Sequence, residues 1–226
     1  MIKHHPTFEL LQNFVNGDLP ASLAAGIAIH ADMCPICQQH ITQLTEQVAE
    51  LNFEQEFLDK FIVDDAQDLL ELADFDQMID SITATNDIVT TKVTPEKSIT
   101  FRNNEYKLPR ALNNIEQGKP AHIGKLTRTR LQLDEGNIRT SLLHIDPGGS
   151  VPEHTHNGFE LTLLLAGSFS DVQGEYVAGD FIMLDGNHQH HPVSEKGCLC
   201  YTVANAPLHF TQGINKLLNP IGTFIY

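Results

Sequence analysis

The spacing of hydrophobic positions changes part-way along the chain. Over the first third, apolar residues recur at intervals of three and four, which is the spacing of one helix face. This spacing predicts a helix over residues 6–17, with Pro6 in its first turn and Gly17 as its stop. A second helix is predicted over residues 20–33, and a third begins near Pro35. The chain is therefore expected to open with an all-α segment.

The helical spacing continues to about residue 82 and then gives way to alternating strands. Residues 53–82 keep the helical spacing but interleave it with carboxylates, which predicts one or two amphipathic acidic helices. These helices either close the core of the bundle or present an apolar face to a partner. Residues 87–96, rich in Thr and Val and containing Pro95, are typical of a linker. From residue 99 onward, short alternating segments separated by Gly, Asn and Pro predict a β-sandwich or barrel.

The charge distribution divides the chain at the same place. The net charge is −15 over 226 residues. Residues 1–90 contain 2 Lys and Arg against 16 Asp and Glu, whereas residues 91–226 contain 12 against 13. This break near residue 90 predicts two domains, 1–90 and 91–226. An acidic first domain repels phosphate backbones, so it disfavours direct binding to nucleic acid and favours a basic protein partner. The alternative is an acidic face that serves solubility.

No stretch of the sequence predicts a membrane span. Such a span needs roughly 18 or more consecutive apolar residues, and the N-terminus does not read as a secretory signal peptide. We therefore expect a cytoplasmic protein that does not bind membranes. In a reducing compartment the two close cysteine pairs, Cys34 with Cys37 and Cys198 with Cys200, indicate metal or redox chemistry before structural disulfides.

The first candidate site is an HxxxCxxC motif formed by His30, Cys34 and Cys37. The end of one helix and the start of the next would bring these three side chains to one corner, as three of the four ligands of a zinc site. The fourth ligand is not determined by the spacing. The candidates are His4 and His5, which precede the first helix, and His40, which lies one turn beyond Cys37. A redox CxxC without metal is the alternative to zinc.

The second candidate site begins with a His-x-His pair. Alternation along a strand places His154 and His156 on the same face. Glu160, four residues on, and an imidazole from a later hairpin, such as His190, would complete a metal site inside a barrel. Three His and one Glu would accept zinc, iron, manganese or nickel.

This second motif resembles the cupin family. Its pattern GxxxxxHxHxxxExxxxxxG is matched by glycines 148 and 167 together with His154, His156 and Glu160. The second cupin motif begins at Gly179 and places its histidine at His190. The resemblance implies that His154, His156, Glu160 and His190 bind the metal, with His188 and His191 as alternatives to His190. Asp185, Asn187 and Ser194 depart from the second motif.

The order of the two motifs resembles ChrR-type zinc-binding anti-sigma factors over nearly the whole chain. The resemblance implies an all-α zinc-binding helical bundle over 1–90, followed by an all-β cupin domain, a double-stranded β-helix or jelly-roll barrel, over 91–226. It implies zinc bound by His5, His30, Cys34 and Cys37, with His4 as the alternative to His5. It also implies inhibition of an extracytoplasmic-function sigma factor, released by an oxidative signal such as singlet oxygen that requires the cupin domain.

Two further interpretations remain open at this point. Cys198 and Cys200 alternate on a predicted strand, so they are either a redox pair near the cupin metal or small core residues. The whole chain is alternatively a cupin metalloenzyme, of the dioxygenase, isomerase or lyase type, with a helical zinc-binding extension. The thiol-containing motif has no evident use in such an enzyme, so a regulatory protein is favoured.

Overall fold

Helices come first along the chain, as the apolar spacing predicts. The computed structural model describes residues 1–60, 75, 77–84 and 96–210; the side chains of 54–60, 208 and 210 are not described. Helix α1 spans Phe8–Asn16, α2 spans Ala21–Met33 and α3 spans Pro35–Lys60. Residues 77–83 are also helical. None of the helices in these described parts is long and apolar enough to cross a membrane.

The helix ends are set by local capping. Helix α1 begins two residues later than Pro6, because the Thr7 hydroxyl accepts a hydrogen bond from the Leu10 N–H and acts as N-cap. It ends at Gly17, which adopts the left-handed conformation. Cys34 separates α2 from α3 with an extended backbone, so the two helices meet at the corner that the HxxxCxxC spacing predicts.

The second part of the described chain is built from short antiparallel strands. A 3-10 turn, Arg110–Leu112, follows the first hairpin. The strands are β1 (Ser98–Phe101), β2 (Asn104–Lys107), β3 (Ala121–Ile123), β4 (Leu126–Leu131), β5 (Arg139–Ile145), β6 (Gly149–Ser150), β7 (His154–His156), β8 (Glu160–Asp171), β9 (Gly174–Val177), β10 (Phe181–Leu184), β11 (Val193–Ser194), β12 (Cys198–Ala204) and β13 (Leu208–Phe210).

The sheet curls into a cupin-like barrel around strand β8. The main path of hydrogen-bonded strands runs β3-β4-β5-β12-β8-β11-β6, and both β9 and β10 also pair with β8. Strand β13 pairs with β7, so the His-x-His strand is backbone-bonded to the end of the described chain. The expected fold class, helices followed by an all-antiparallel cupin barrel, is confirmed.

The helices share their core with the barrel. Leu23 and Ile27 of α2 belong to the same buried cluster as Leu161 and Tyr201 of strands β8 and β12. The Tyr201 hydroxyl donates a buried hydrogen bond to the Ser22 carbonyl (2.8 Å). The small residues Ala25 and Gly26 of α2 lie against this shared core. The chain divides into two compact units, one formed by residues 1–44 with 96–226 and the other by residues 45–95.

The boundary at residue 90 stays a prediction, because most of the acidic segment lies outside the described residues. Most of the predicted acidic helices over 53–82, including the apolar positions Phe57, Phe61, Leu69 and Leu72, fall in undescribed parts or among undescribed side chains. The same is true of nearly all of the predicted linker over 87–96. In the described part of this segment, α3 continues through Phe53 to Lys60 as one helix of 26 residues.

Gly26 allows the close approach of α2 to the barrel. A Cβ at this position would lie 2.7 Å from Leu161 Cδ2 and 3.4 Å from the Tyr201 ring. We expect Gly26→Val to lower the free energy of unfolding by roughly 1–3 kcal/mol, because overpacking forces the helix away from the strand. The measurement is a urea unfolding curve. Ala28→Val, at a half-buried position of the same helix, is the control and should change stability less.

Candidate metal centres

Four side chains meet where α2 and α3 join, and we call them the helical cluster: His5, His30, Cys34 and Cys37. Their ligand atoms all lie within 4.8 Å of one another. His5 Nδ1 is 3.4 Å from Cys34 Sγ and 3.5 Å from Cys37 Sγ, and His30 Nε2 is 3.2 Å from Cys37 Sγ. A tetrahedral zinc with ordinary Zn–N and Zn–S bonds separates such atoms by about 3.5 Å. The donor set and its spacing therefore suit a metal ion.

The cupin turn between β9 and β10 orients one of these donors. His30 is fully buried (0% exposed), and its Nδ1–H donates to the Gly179 carbonyl at 2.7 Å. This bond selects the tautomer that leaves the Nε2 lone pair directed at Cys37. Metal-binding histidines are ordinarily fixed in this way through their second ring nitrogen. The arrangement thus suits coordination of a metal by His30 Nε2.

Burial opposes charge on two members of the helical cluster, His30 and Cys37. Burial lowers the pKa of His30, although the Gly179 carbonyl opposes this shift. Burial and the neighbouring Cys34 thiol raise the pKa of Cys37 to about 12. Two thiolates side by side are therefore unfavourable without a cation between them. A divalent ion would supply that charge and displace the thiol protons as it binds.

The second group, the cupin cluster, lies inside the barrel and consists of His154, His156, Glu160 and His190. Their ligand atoms also lie within 4.8 Å of one another. His190 Nε2 is 2.9 Å from His154 Nε2 and 3.2 Å from His156 Nε2. Glu160 Oε2 is 2.9 Å from His156 Nε2 and 3.5 Å from His190 Nε2. Three imidazole nitrogens and a carboxylate oxygen thus point at one centre.

These distances match a common metal ion. Two nitrogens each about 2.05 Å from one metal lie about 2.9–3.4 Å apart, depending on the bond angle. The His154 Nδ1–H donates to the Pro152 carbonyl (2.7 Å), which leaves its Nε2 lone pair facing the centre. His190 Nδ1 lies 3.7 Å from Asp171 Oδ2, a carboxylate placed behind the ring. Both clusters could therefore bind metal, and neither set of distances selects one element.

The electrostatics of the cupin cluster favour a cation. Burial lowers the pKa of His154 to about 4, so this ring is neutral and free to coordinate. Burial alone would raise the pKa of Glu160, but hydrogen bonds with His156 and His190 outweigh it and hold that pKa below its usual range. The cluster therefore combines the neutral His154 ring with the Glu160 carboxylate anion. This is the protonation state that a divalent metal requires.

The structure separates the alternative histidines from the two clusters. His40 is exposed on α3, and His4 packs its ring against Tyr176 (centroids 4.8 Å apart) while His5 faces the thiols. His188 is hydrogen-bonded to Asp185 at 2.7 Å, and His191 is exposed. The geometry thus brings His5 and His190 to the clusters, and their roles as ligands stay predictions.

Cys198 and Cys200 are both buried core residues of β12, and their Sγ atoms are 4.0 Å apart. Their mutual hydrogen bond lowers the pKa of Cys198 and raises that of Cys200. Cys200 also lines a cavity of about 60 Å³ next to the cupin cluster, together with Glu160 and His190. The expected position near the cupin cluster is observed for Cys200. A redox role for the pair stays a prediction.

The sequence did not identify the residues that contact the cluster members or their chain neighbours from outside the clusters. Asp180 and Asp171 are ordinary acidic residues in the sequence, and Tyr176 has no motif of its own. Burial and the nearby Asp171 carboxylate raise the pKa of Tyr176 to about 12. The available signal was the position of Asp180 directly after Gly179, the residue that opens the second cupin motif.

These features define a cupin-fold protein with a second, thiol-containing candidate metal site at its helical end. Residues 123–208 match the family model of the ChrR cupin-like domain. The chain is 26% identical over 221 residues to the anti-sigma-E factor ChrR of Cereibacter sphaeroides, which covers 97% of both chains. The resemblance to ChrR-type proteins, expected from the two motifs, is confirmed. The name of this relative, an anti-sigma factor, describes a regulatory protein.

A solved structure shares the fold of the chain. The crystal structure of Rhodobacter sphaeroides SigE in complex with the anti-sigma ChrR is matched with a TM-score of 0.62 and 24% identity. The match covers 90% of this chain and 99% of that chain. The likeness therefore includes helices as well as the barrel.

Proposed function

We propose that this chain is an anti-sigma factor that binds and inhibits an extracytoplasmic-function sigma factor. The observation that supports the proposal most is the span of the similarity to the ChrR anti-sigma factor, 97% of each chain. A relationship limited to the cupin barrel would leave the helical cluster without a role. The thiol-containing cluster and the acidic helices are the parts that a cupin enzyme does not need.

The acidic segment provides the surface that would meet the sigma factor. Residues 1–90 have a balance of −14, which complements the basic surfaces that a sigma factor presents to DNA. The helical residues around 77–83 also expose an apolar stripe at intervals of three and four: Phe75, Met78, Ile79 and Ile82, each 44–64% exposed. An apolar stripe within a strongly acidic segment is suited to a groove with a basic rim.

The proposed metals follow from the donor sets. Two thiols and two imidazoles favour Zn²⁺ in the helical cluster, where it would hold the segment before α1 to the junction of α2 and α3. Three imidazoles and a carboxylate in the cupin cluster accept Zn²⁺ or another divalent metal such as Fe, Mn or Ni. We assign His5, His30, Cys34 and Cys37 to the first ion, and the four residues of the cupin cluster to the second. The domain boundary near residue 90 is part of the same proposal.

The cupin cluster is proposed to sense an oxidant rather than to turn over a substrate. The cavity of about 60 Å³ beside it has room for a few water-sized molecules, whereas ligand pockets ordinarily measure roughly 300–1,000 Å³. Small oxidants such as singlet oxygen would reach the cluster and Cys200. The small size of this cavity favours a sensing role over the enzyme alternative. The proposed sigma factor partner places the protein in the cytoplasm.

The proposal is tested by mixing the purified chain with an extracytoplasmic-function sigma factor from the same genome. We expect a stoichiometric complex on size-exclusion chromatography and loss of sigma-dependent transcription with core RNA polymerase in vitro. Metal analysis of the same complex should give two metal ions per chain. The protein should be tested at saturating concentration against each extracytoplasmic-function sigma factor of the genome. If sigma-dependent transcription continued with all of them, the proposal would be wrong.

A further inference from the structure

The residues before α1 are fastened to the cupin sheet by one buried carboxylate. Asp180, in the turn between β9 and β10, is 0% exposed. Its Oδ1 accepts hydrogen bonds from the backbone N–H groups of Lys3 (2.7 Å) and His4 (3.0 Å), and its Oδ2 accepts one from Val177 (2.8 Å). Three N–H donors on a buried carboxylate form a strong and directional anchor.

The neighbours of Asp180 extend the attachment. The Phe181 N–H donates to the His4 carbonyl at 3.0 Å, so the N-terminal segment also bonds to the start of β10. Gly179 has a φ of +94°, and a Cβ there would run into the Ile2 side chain. The turn is therefore shaped to receive residues 2–4.

This anchor lies directly beside the helical cluster. His5 follows the anchored His4, so the position of the His5 ring opposite Cys34 and Cys37 depends on where residues 3 and 4 are held. The same turn accepts the Nδ1–H of His30 through the Gly179 carbonyl. Both imidazoles of the helical cluster are thus oriented by Gly179 and Asp180, two consecutive residues of the turn between β9 and β10.

We propose that Asp180 is a positioning residue for the helical cluster: it places His5 opposite the two cysteines, so that the cupin sheet sets the metal affinity of a site otherwise built from helices. The inference rests on the proposed metal-binding role of that cluster. Strand β10 connects the two clusters over a short distance. It begins next to Asp180, and its last residue, Leu184, pairs with Glu160 of the cupin cluster.

Asparagine at position 180 breaks the anchor with little change in volume. An amide has one acceptor oxygen, so its NH₂ group must face either the N–H groups of Lys3 and His4 or that of Val177. The side-chain NH₂ group then faces a backbone N–H group, so two donors meet in a buried place without an acceptor. Losses of outer partners of metal ligands commonly lower metal affinity by about 10–100-fold, and we expect a loss in this range for Asp180→Asn.

The test uses Co²⁺ as the probe in the full-length chain. Cobalt bound to cysteine thiolates gives a charge-transfer absorption that reports the helical cluster, whereas the cupin cluster has no thiolate among its four members. Titrating Co²⁺ against a competing chelator gives the affinity of each variant. The matched control is Asp185→Asn, at an exposed aspartate beyond the other end of β10, which should leave that affinity within about twofold.

A double-mutant cycle separates positioning from general destabilisation. If Asp180 acts through His5, then Asp180→Asn should cost little further affinity once His5 is already alanine. Equal losses in both backgrounds would overturn the proposal, as would an unchanged affinity in Asp180→Asn. Absence of the thiolate band in the unmutated chain would instead contradict the proposed metal site itself.

A second variant keeps the test decisive if Asp180→Asn does not fold. Lys3→Pro removes one N–H donor to Asp180 from an exposed N-terminal residue, outside the barrel. We expect a loss of several-fold in Co²⁺ affinity at the helical cluster, with the unfolding curve of the chain unchanged. An unchanged affinity in this variant would also overturn the proposal.

Discussion

Replacing Cys34 with serine is expected to abolish binding of the sigma factor. Cys34 is buried (2% exposed), and its Sγ lies 3.4 Å from His5 Nδ1 at the junction of α2 and α3. Structural zinc contributes roughly 10 kcal/mol or more to small folded units, so its loss should release the segment before α1 and lower sigma affinity by at least about 100-fold. Binding is measured by titration of labelled sigma factor, with zinc content measured on the same sample.

Cys198→Ser is the matched control for this substitution. It makes the same chemical change at an equally buried thiol (1% exposed) that lies outside both clusters. We expect this variant to keep its zinc and its sigma affinity. If Cys34→Ser bound the sigma factor normally while containing no zinc at the helical cluster, the structural role proposed for that metal would be wrong.

Replacing His190 with alanine is expected to remove the response to oxidant while leaving sigma inhibition in place. His190 is the imidazole whose Nε2 approaches both His154 and His156, so its loss removes the proposed ligand that connects the cupin cluster to the later hairpin. Metal affinity of a site that loses one of four ligands should fall by at least about 100-fold. The measurement is sigma-dependent transcription in vitro, before and after exposure to singlet oxygen.

His188→Ala and His191→Ala serve as controls on either side of His190. Both residues are exposed and lie outside the cupin cluster, and the sequence alone left them as alternative ligands. Each should keep the second metal ion and the response to oxidant. A loss of metal in His188→Ala or His191→Ala, with His190→Ala unaffected, would move the proposed ligand to the neighbouring residue. A full oxidant response in metal-free His190→Ala would contradict the sensing role of the cupin cluster.

Most of the two candidate sites was predictable because their residues are close in sequence. His30, Cys34 and Cys37 lie within eight residues at a helix junction, and His154, His156 and Glu160 lie within seven residues around a strand start. At such short range, helix and strand periodicity fixes which side chains share a face. The helices and alternating strands were predictable for the same reason, because burial imposes a period on the sequence.

The spacing of the motifs could not determine the fourth member of each cluster. The fourth members of the clusters, His5 and His190, come from segments 25 or more residues away from their partners in sequence, and each has histidine neighbours that spacing could not exclude. The resemblance to known families favoured these two residues. The structure then placed them at the clusters, because backbone pairing of His4 with Phe181 and of His190 with His154 determines which ring faces inward.

The sequence by itself determined the order of helices and strands, the acidic character of residues 1–90 and the short-range core of each candidate metal site. Only the tertiary structure decided that α2 packs on the barrel through Gly26, and that Gly179 and Asp180 orient the helical cluster. The reason is physical. Local periodicity shows which face of a helix or strand is buried, but it does not show which other element packs against that face. Contacts between residues about 150 positions apart leave no pattern in a single sequence.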